Sequence, residues 1–309
     1  MAEQSPEISV VVPIYNEEAT IPELYRRLTA ALEAFGRSYE IIAIDDGSKD
    51  RSVHLLREYH AQDPRFRVVR LMRNYGQSPA LYAGFSRTRG QYVVMIDADL
   101  QNFPEDIPKL IEKLEEGYDM VSGFRKDRKD GLMRHLFSRS INYVINRITR
   151  QPLSDYGCAL KAFRRELVDH LGTFTHRCRY LPVDAAWVGG AVAEVEVRHA
   201  ERTQGESKYG ILKLVQTAFD LLTGITVAPL QFIGLSGFGF AAIGFAMSLR
   251  VAYVRLVHGD VHQLESIIAI FFFLAGMQMV ATGLMCEYIG RLYVEVQRKP
   301  YYIIRDELE

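Results

Sequence analysis

Two closely spaced carboxylates, Asp97 and Asp99, directly follow an apolar run in the sequence Asp-Ala-Asp. Carboxylates this close repel each other unless a cation or hydrogen-bond donors offset their charge. Mg²⁺ typically binds proteins through one or two carboxylates together with substrate phosphates. A metal held by Asp99 and a diphosphate would also stabilise the charge that develops on a leaving group. The pair therefore predicts a metal site for diphosphate chemistry, with a solvated turn as the alternative.

A second acidic pair, Asp45-Asp46, precedes Gly47 at the end of the apolar run Glu40–Ile44. By position, Asp45 is a candidate acceptor for a base N–H, and Asp46 is a candidate for the ribose or the metal. A turn that only leads into a helix is the alternative, because Asp and Gly are common turn residues. Asp155 lies on a predicted loop, where it is a candidate catalytic base or a simple cap.

Basic residues cluster at three places ahead of the C-terminal third of the chain. Arg125 follows an apolar run, and Arg134 and Ser138 share one face of a helix predicted over Leu132–Ile148. Arg202 and Lys208 flank a loop that contains a glycine. A solvated face is the ordinary reading of such charges. Close to a membrane, however, these positions suit an anionic lipid headgroup.

The elements that must position these residues alternate between strand and helix. Strands are predicted over Ile8–Ile14, Glu40–Ile44, Phe66–Leu71 and Tyr92–Ile96, with helices over Glu17–Phe35, Arg51–His60 and Ser78–Thr88. This alternation predicts an α/β fold with a mostly parallel sheet covered on both faces. Ligands of such sheets bind beyond the carboxyl ends of the strands. Both acidic pairs fall at those ends.

The C-terminal third contains two long segments without a charge, Val227–Leu249 and Ser266–Cys286. About 20 apolar residues in a helix span the hydrocarbon core of a bilayer. The sequence therefore predicts two transmembrane helices, with two buried helices of a soluble core as the alternative. The expected domains are residues 1–210 as the catalytic domain, 211–226 as an amphipathic juxtamembrane segment, 227–290 as the two spans and 291–309 as a cytoplasmic tail.

Charge and cysteine content limit the partners and the compartment. The chain has 37 basic and 38 acidic residues, so no net positive charge indicates nucleic acid. Three scattered cysteines suit a reducing compartment, and the N-terminus carries no signal-peptide pattern. We therefore expect a multi-pass protein of the inner membrane with its catalytic domain in the cytoplasm. No GxGxxG follows the first strand and no GxxxxGK[ST] occurs, which disfavours dinucleotide oxidoreductases and P-loop NTPases.

Taken together, the motifs resemble family 2 glycosyltransferases of the polyprenyl-phosphate sugar transferase group. The resemblance covers nearly the whole chain and is carried by motifs in a fixed order: Val10–Glu17, Asp45–Ser48, Arg73–Gln77, Asp97–Gln101, Asp155–Cys158, His199–Arg202, Gly205–Tyr209 and Glu287–Arg291. Each motif alone has modest specificity. Their order, followed by two predicted membrane helices, is highly specific.

The resemblance implies a GT-A fold, a UDP-sugar donor, undecaprenyl phosphate as acceptor, Mg²⁺ or Mn²⁺, and inversion at the anomeric carbon. It assigns Asp97, Asp99 and Gln101 to the metal, and it implies that Lys208 binds the donor diphosphate or closes a loop. Homotetramers occur in the group. The family further assigns nucleotide contacts to Pro13, Tyr15, Glu17 and Asp45, and lipid-phosphate contacts to Arg125, Arg134, Ser138 and Arg202.

Two other functions remain open at this stage. A processive polysaccharide synthase shares the fold and the Asp-x-Asp pair, but such enzymes carry a QxxRW motif. The single tryptophan here, Trp187, lies in Ala-Ala-Trp-Val, so that motif is absent. A non-catalytic membrane scaffold that binds nucleotide-sugars is the other alternative, and a turnover assay separates it from an enzyme.

Overall fold

The structure is a computed structural model of the chain. It describes residues 5–125, 153–155, 157–173, 181–200, 264–297 and 299–308, together with isolated positions between 230 and 257. Two compact units are present, one of Met1–Lys208 with Pro300–Glu309 and one of Tyr209–Lys299. The domain boundaries predicted at residues 210, 226 and 290 stay predictions.

A single eight-stranded sheet organises the described part of the first unit. The strands run in the spatial order β7-β5-β6-β4-β1-β2-β3-β8. β1 to β4 are mutually parallel, whereas β6 and β8 pair in the antiparallel direction. The predicted α/β fold with a mostly parallel sheet is confirmed. The strands are β1 Ile8–Ile14, β2 Tyr39–Asp45, β3 Phe66–Leu71, β4 Tyr92–Met95, β5 Met120–Phe124, β6 Lys161–Arg164, β7 Val192–Glu196 and β8 Ile304–Leu308.

Helices pack on both faces of this sheet. In the first unit they are α1 Ile21–Phe35, α2 Ser52–Gln62, α3 Gln77–Phe85, α4 Ile107–Glu115, α5 Arg165–Thr173 and α6 Leu181–Val188. The predicted start of α1 at Glu17 is wrong by four residues. Thr20 N–H and hydroxyl bond back to Glu17, forming a turn there, and Pro22 occupies the first turn of the helix.

Two apolar cores result, one on each face of the sheet. Val10 and Val12 of β1 pack into the first core with α1, α2 and α4, whereas Val11 faces the second core with α3, α5 and α6. Successive side chains of a strand point to opposite faces. Both faces of β1 therefore need apolar side chains, which accounts for its continuous apolar run. This pattern is expected for a strand in the middle of a parallel sheet that is covered on both faces.

The C-terminal strand β8 is held to the edge of the sheet by ion pairs. Arg70 of β3 donates to Asp306 at 2.8 Å, and Arg87 binds Glu307 with a shortest distance of 2.7 Å. Part of the segment predicted as a tail is thus a strand of the first unit. The sequence of β8, Ile-Arg-Asp-Glu-Leu, lacks the alternating apolar pattern that predicts a strand. Besides the ion pairs, its two ends hold it in place, because Ile304 packs against the second core and Leu308 against the first.

The second unit contains the long helix α7, Leu264–Val296. Across the residues that the structure describes, no helix combines the length and apolar character needed to cross a membrane. The two predicted spans are therefore not confirmed. Most of Val227–Leu249 and all of 211–226 lie outside the described residues, as does the helix predicted over Leu132–Ile148.

Gly47 gives a stability prediction, because its backbone has φ +72° and an added Cβ would lie 2.6 Å from the backbone carbon of Arg73. Gly36 is a matched control, with φ +75° and no atom within 4 Å of an added Cβ. Gly36→Ala should cost only the strain of the left-handed conformation, about 1–2 kcal/mol. Gly47→Ala should cost about 1–3 kcal/mol more, because the clash is with backbone. Equal losses in urea unfolding would contradict this prediction.

Candidate active site

A cleft of about 280 Å³ lies beyond the carboxyl ends of β1, β2 and β4. Parallel strands end at the same edge of a sheet, so the loops that follow them converge there. Both predicted acidic pairs contribute to this edge. The residues that line the cleft are Pro13, Ile14, Tyr15, Glu17, Asp46, Asn74, Gly76, Gln77, Ala80, Asp97, Ala98 and Asp99.

The loop after β1 places Tyr15 and Glu17 at the cleft, and hydrogen bonds connect this loop to the loop after β2. Asn16 has the left-handed φ of 55°, and its N–H donates to Ser48 Oγ at 3.0 Å. Its side-chain oxygen accepts the N–H of Lys49 at 2.8 Å. Asn tolerates this conformation better than most residues. The local geometry therefore leaves the Tyr15 ring 42% exposed beside the cleft.

Asp45 and Asp46 occupy different environments. Asp45 is 1% exposed, accepts the N–H of Ser48 at 3.1 Å and lies 3.8 Å from Arg70 Nε. Asp46 lines the cleft, but its two oxygens accept the N–H groups of Tyr75 and Gly76 at 2.7 and 2.8 Å. Burial raises the pKa of Asp46, and the two backbone donors oppose that rise. The first role of Asp46 is thus to hold the loop after β3.

Asp97 and Asp99 face the cleft directly after β4. Gln77 Nε2 donates to Asp97 Oδ1 at 2.6 Å, and Asp99 Oδ1 accepts the N–H of Gln101 at 3.1 Å. Burial, then the neighbouring charge of Asp99, raises the pKa of Asp97 to about 6. A cation would relieve both penalties, so these oxygens fit a hard divalent ion. Among the residues that the structure describes, no group of three or more His, Cys, Asp and Glu is arranged to hold a metal ion.

The segment after Asp99 is fastened to the end of β7. Leu100 has the left-handed φ of 61°, an uncommon conformation for leucine. The carbonyl of Gln101 accepts the N–H of Ala200 at 3.0 Å, and Asn102 forms a β-bridge with His199. The chain at His199 and Ala200 therefore runs beside the segment that follows the acidic pair.

Arg125 and Asp155, predicted for different roles, form one bidentate ion pair. Arg125 Nε and Nη2 donate to the two oxygens of Asp155 at 2.6 and 2.9 Å, and both side chains are largely buried. Asp155 also accepts the N–H of Gly157 at 3.1 Å. The pairing thus makes Asp155 a group that orients Arg125, which the sequence could not show because 29 residues separate them.

Lys161 is a buried lysine for which the sequence predicted no role. It lies at the start of β6 and is 3% exposed, and its ammonium donates to the carbonyl of Cys158. Burial lowers the pKa of Lys161, whereas Cys158, Asp155 and Asp97 raise it. The sequence contains one indication of this position. Lys161 stands two residues before Phe163 in a short strand, so both side chains point to the same face of the sheet.

Four of the predicted site residues, Arg134, Ser138, Arg202 and Lys208, lie outside the described residues. Their assignments to the lipid phosphate and the donor diphosphate stay predictions.

Comparison with known proteins identifies the family of this fold and cleft. Residues 9–172 match the family model described as Glycosyl transferase family 2. The chain belongs to this family. It is therefore an enzyme of the glycosyltransferase class, and the resemblance found in its motifs is confirmed.

Two curated relatives share the length of the chain as well as its sequence. The undecaprenyl-phosphate 4-deoxy-4-formamido-L-arabinose transferase of Shewanella sediminis is 42% identical over 97% of this chain and 92% of its own length. The protein of the same name from Edwardsiella ictaluri is 42% identical over 97% and 93%. These relatives span the second unit as well as the sheet-containing unit.

A solved structure supports the GT-A-like fold. Glucosyl-3-phosphoglycerate synthase from Mycobacterium tuberculosis, crystallised with Mg²⁺ and uridine diphosphate, aligns with a TM-score of 0.50 at 23% identity. The alignment covers 71% of this chain and 78% of that one. This similarity concerns the fold alone.

The raised pKa of Asp97 gives a prediction about stability and pH. Between about pH 4 and 6 the folded protein binds the Asp97 proton more tightly than the unfolded chain does. The free energy of unfolding therefore falls as pH rises through this window. In chelator, Asp97→Asn should stabilise the protein at pH 7.5 by about 1–3 kcal/mol and by much less at pH 4.5. Urea unfolding at both pH values measures this, and an equal difference at both would contradict it.

Proposed function

We propose that this enzyme transfers a sugar from a UDP-sugar to undecaprenyl phosphate, with inversion, at the cytoplasmic face of a membrane. The observation that carries the proposal is the cleft at the carboxyl edge of the sheet, where Asp97 and Asp99 stand together. The names of two relatives at 42% identity support the lipid acceptor. The UDP-sugar donor rests on the family resemblance of the motifs.

The donor would bind across the ends of β1, β2 and β4. We assign the nucleotide to Pro13, Tyr15, Glu17, Asp45 and Asp46, and its diphosphate to the metal side of the cleft with Lys208. Asp97, Asp99 and Gln101 would hold Mg²⁺ or Mn²⁺. The ion would supply Lewis-acid stabilisation of the charge on the departing diphosphate. Asp46 serves this arrangement by fixing the backbone of Tyr75 and Gly76 beside the cleft.

The acceptor needs little help in losing a proton. A phosphate monoester has a second pKa of about 6, so it is largely dianionic near neutral pH. The harder task is to bring this anion to another anion, the sugar diphosphate. Arginine binds phosphate through a planar fork of donors, which suits Arg125, Arg134 and Arg202, with Ser138 as a further donor. Asp155 then acts by holding Arg125 at the correct angle rather than as a base.

We also propose that the enzyme is a multi-pass membrane protein, with spans at Val227–Leu249 and Ser266–Cys286. The support is the absence of charge over both segments and the exposure of large apolar side chains on α7. Phe271 is 65%, Met279 76% and Val280 64% exposed. Assembly into a homotetramer is a weaker proposal that rests on the family alone.

The transfer assay tests the reaction. Purified protein with undecaprenyl phosphate, Mg²⁺ and a panel of UDP-sugars should give a lipid-linked monosaccharide, identified by mass. Chelator should stop turnover, and Mg²⁺ or Mn²⁺ should restore it. A polymer product would instead support a processive synthase. Nucleotide binding without any turnover would support a scaffold.

Substitutions separate the roles of the two carboxylate groups in the same assay. Asp99→Asn should lower kcat by about a hundredfold or more, because metal stabilisation is worth several kcal/mol. Asp155→Asn should cost less, and in an Arg125→Ala background it should add little, because the pair acts as a unit. Additive losses in the double variant would show that Asp155 acts independently of Arg125.

Membrane attachment is tested by fractionation. The full-length chain should remain with membranes after carbonate extraction and should enter solution only with detergent. Recovery as a soluble protein without detergent would overturn both proposed spans.

A further inference from the structure

Lys161 is a buried lysine on the strand that pairs with β4, the strand that ends just before the acidic pair. Its backbone pairs with Met95 of β4 on one side and with Ser122 of β5 on the other. Met95 and Phe163 belong to the second core, so Lys161, two residues before Phe163, lies on that face. Asp97, two residues after Met95, continues along the same face. Lys161 is therefore next to the strand end that carries Asp97.

The ammonium of Lys161 also reaches the loop that carries Asp155. It donates to the carbonyl of Cys158, three residues along from Asp155. Its electrostatic partners include Asp155 and Asp97, which stabilise its charge, and Arg125, which opposes it. One buried cation thus connects the metal side of the cleft with the Arg125–Asp155 pair.

Placing an ammonium here is costly for folding. A charged group that leaves water loses several kcal/mol of solvation unless partners offset that loss. A methionine has similar length and would fill the same space without a charge. Tethering the Cys158 carbonyl needs only a hydrogen-bond donor, which a neutral glutamine would also supply. The distinctive contribution of lysine at this position is its charge.

We propose that Lys161 is a positioning residue whose charge balances Asp97 and Asp155 and so sets the affinities of the cleft for cation and diphosphate. This inference rests on the proposed function, since it takes Asp97 and Asp99 as the metal site. Lys161 is not among the residues that line the cleft, so we expect it to act without touching either substrate. Its charge affects the metal through Asp97. It affects the diphosphate through the electrostatic potential of the whole site.

The charge has opposite effects on the two ligands. A fixed positive charge repels a divalent cation and attracts a diphosphate. Removing it should tighten the binding of Mn²⁺ alone and weaken the binding of UDP at saturating Mg²⁺. Each change should be about threefold to tenfold, because solvent and salt screen much of the interaction. A purely structural role would instead weaken both ligands, since a disordered site binds everything less well.

Four variants of the full-length protein in detergent test this inference by titration calorimetry with Mn²⁺ and with UDP. Lys161→Met removes charge and donor, Lys161→Gln removes the charge alone, and Lys161→Arg keeps both. Lys113→Gln is the control for net charge, because Lys113 lies on α4 and pairs with Glu116 at the surface. If Lys161→Met does not fold, Lys161→Gln still tests the charge.

We expect Lys161→Gln and Lys161→Met to bind Mn²⁺ more tightly and UDP more weakly than the wild type. We expect neither change in Lys161→Arg or Lys113→Gln. Lys161→Gln with unchanged affinities would overturn the proposal and leave only the tether to Cys158. Parallel weakening of both ligands would overturn it as well. Wild-type protein that bound neither Mn²⁺ nor UDP would instead contradict the proposed function, so the two failures are distinguishable.

Discussion

Repulsion between carboxylates at one edge of the sheet is the constraint on which the site depends. Asp45, Asp46, Asp97 and Asp99 all follow parallel strands, and parallel strands bring their carboxyl ends together. Like charges that lie close together destabilise the fold unless hydrogen-bond donors or cations offset them. The structure meets most of this cost with its own groups. Burial, and after it the neighbouring charge of Asp99, raises the pKa of Asp97, so a metal ion bound there would offset both penalties.

The loops around the cleft are coupled by backbone hydrogen bonds rather than by apolar packing. Asn16 connects the loop after β1 to Ser48 and Lys49, while Asp46 holds Tyr75 and Gly76. Gly47 allows the close approach of these segments, because no side chain would fit against Arg73. Groups held this way are oriented before a ligand arrives. Preorganised groups pay less on binding, which favours both affinity and catalysis.

The sheet-containing unit is assembled from both ends of the chain. β8 pairs with β3 after the chain has passed through the whole second unit. A fragment that stops before residue 300 would leave β3 as an edge strand and would remove Asp306 from Arg70 and Glu307 from Arg87. Edge strands with unpaired backbone groups favour aggregation. The sheet-containing unit is thus completed by residues that follow α7 in the chain.

The sequence alone determined the α/β class, β1 and β3 to the residue, and the acidic pairs at strand ends. These features depend on local periodicity and on residue order, which a sequence carries directly. Tertiary structure decided which charges meet. Arg125 with Asp155, Lys161 beside the strand end that carries Asp97, and β8 on β3 all join residues that are distant in sequence. Such pairings depend on which strands become neighbours in the sheet, and that is set by packing of the whole unit.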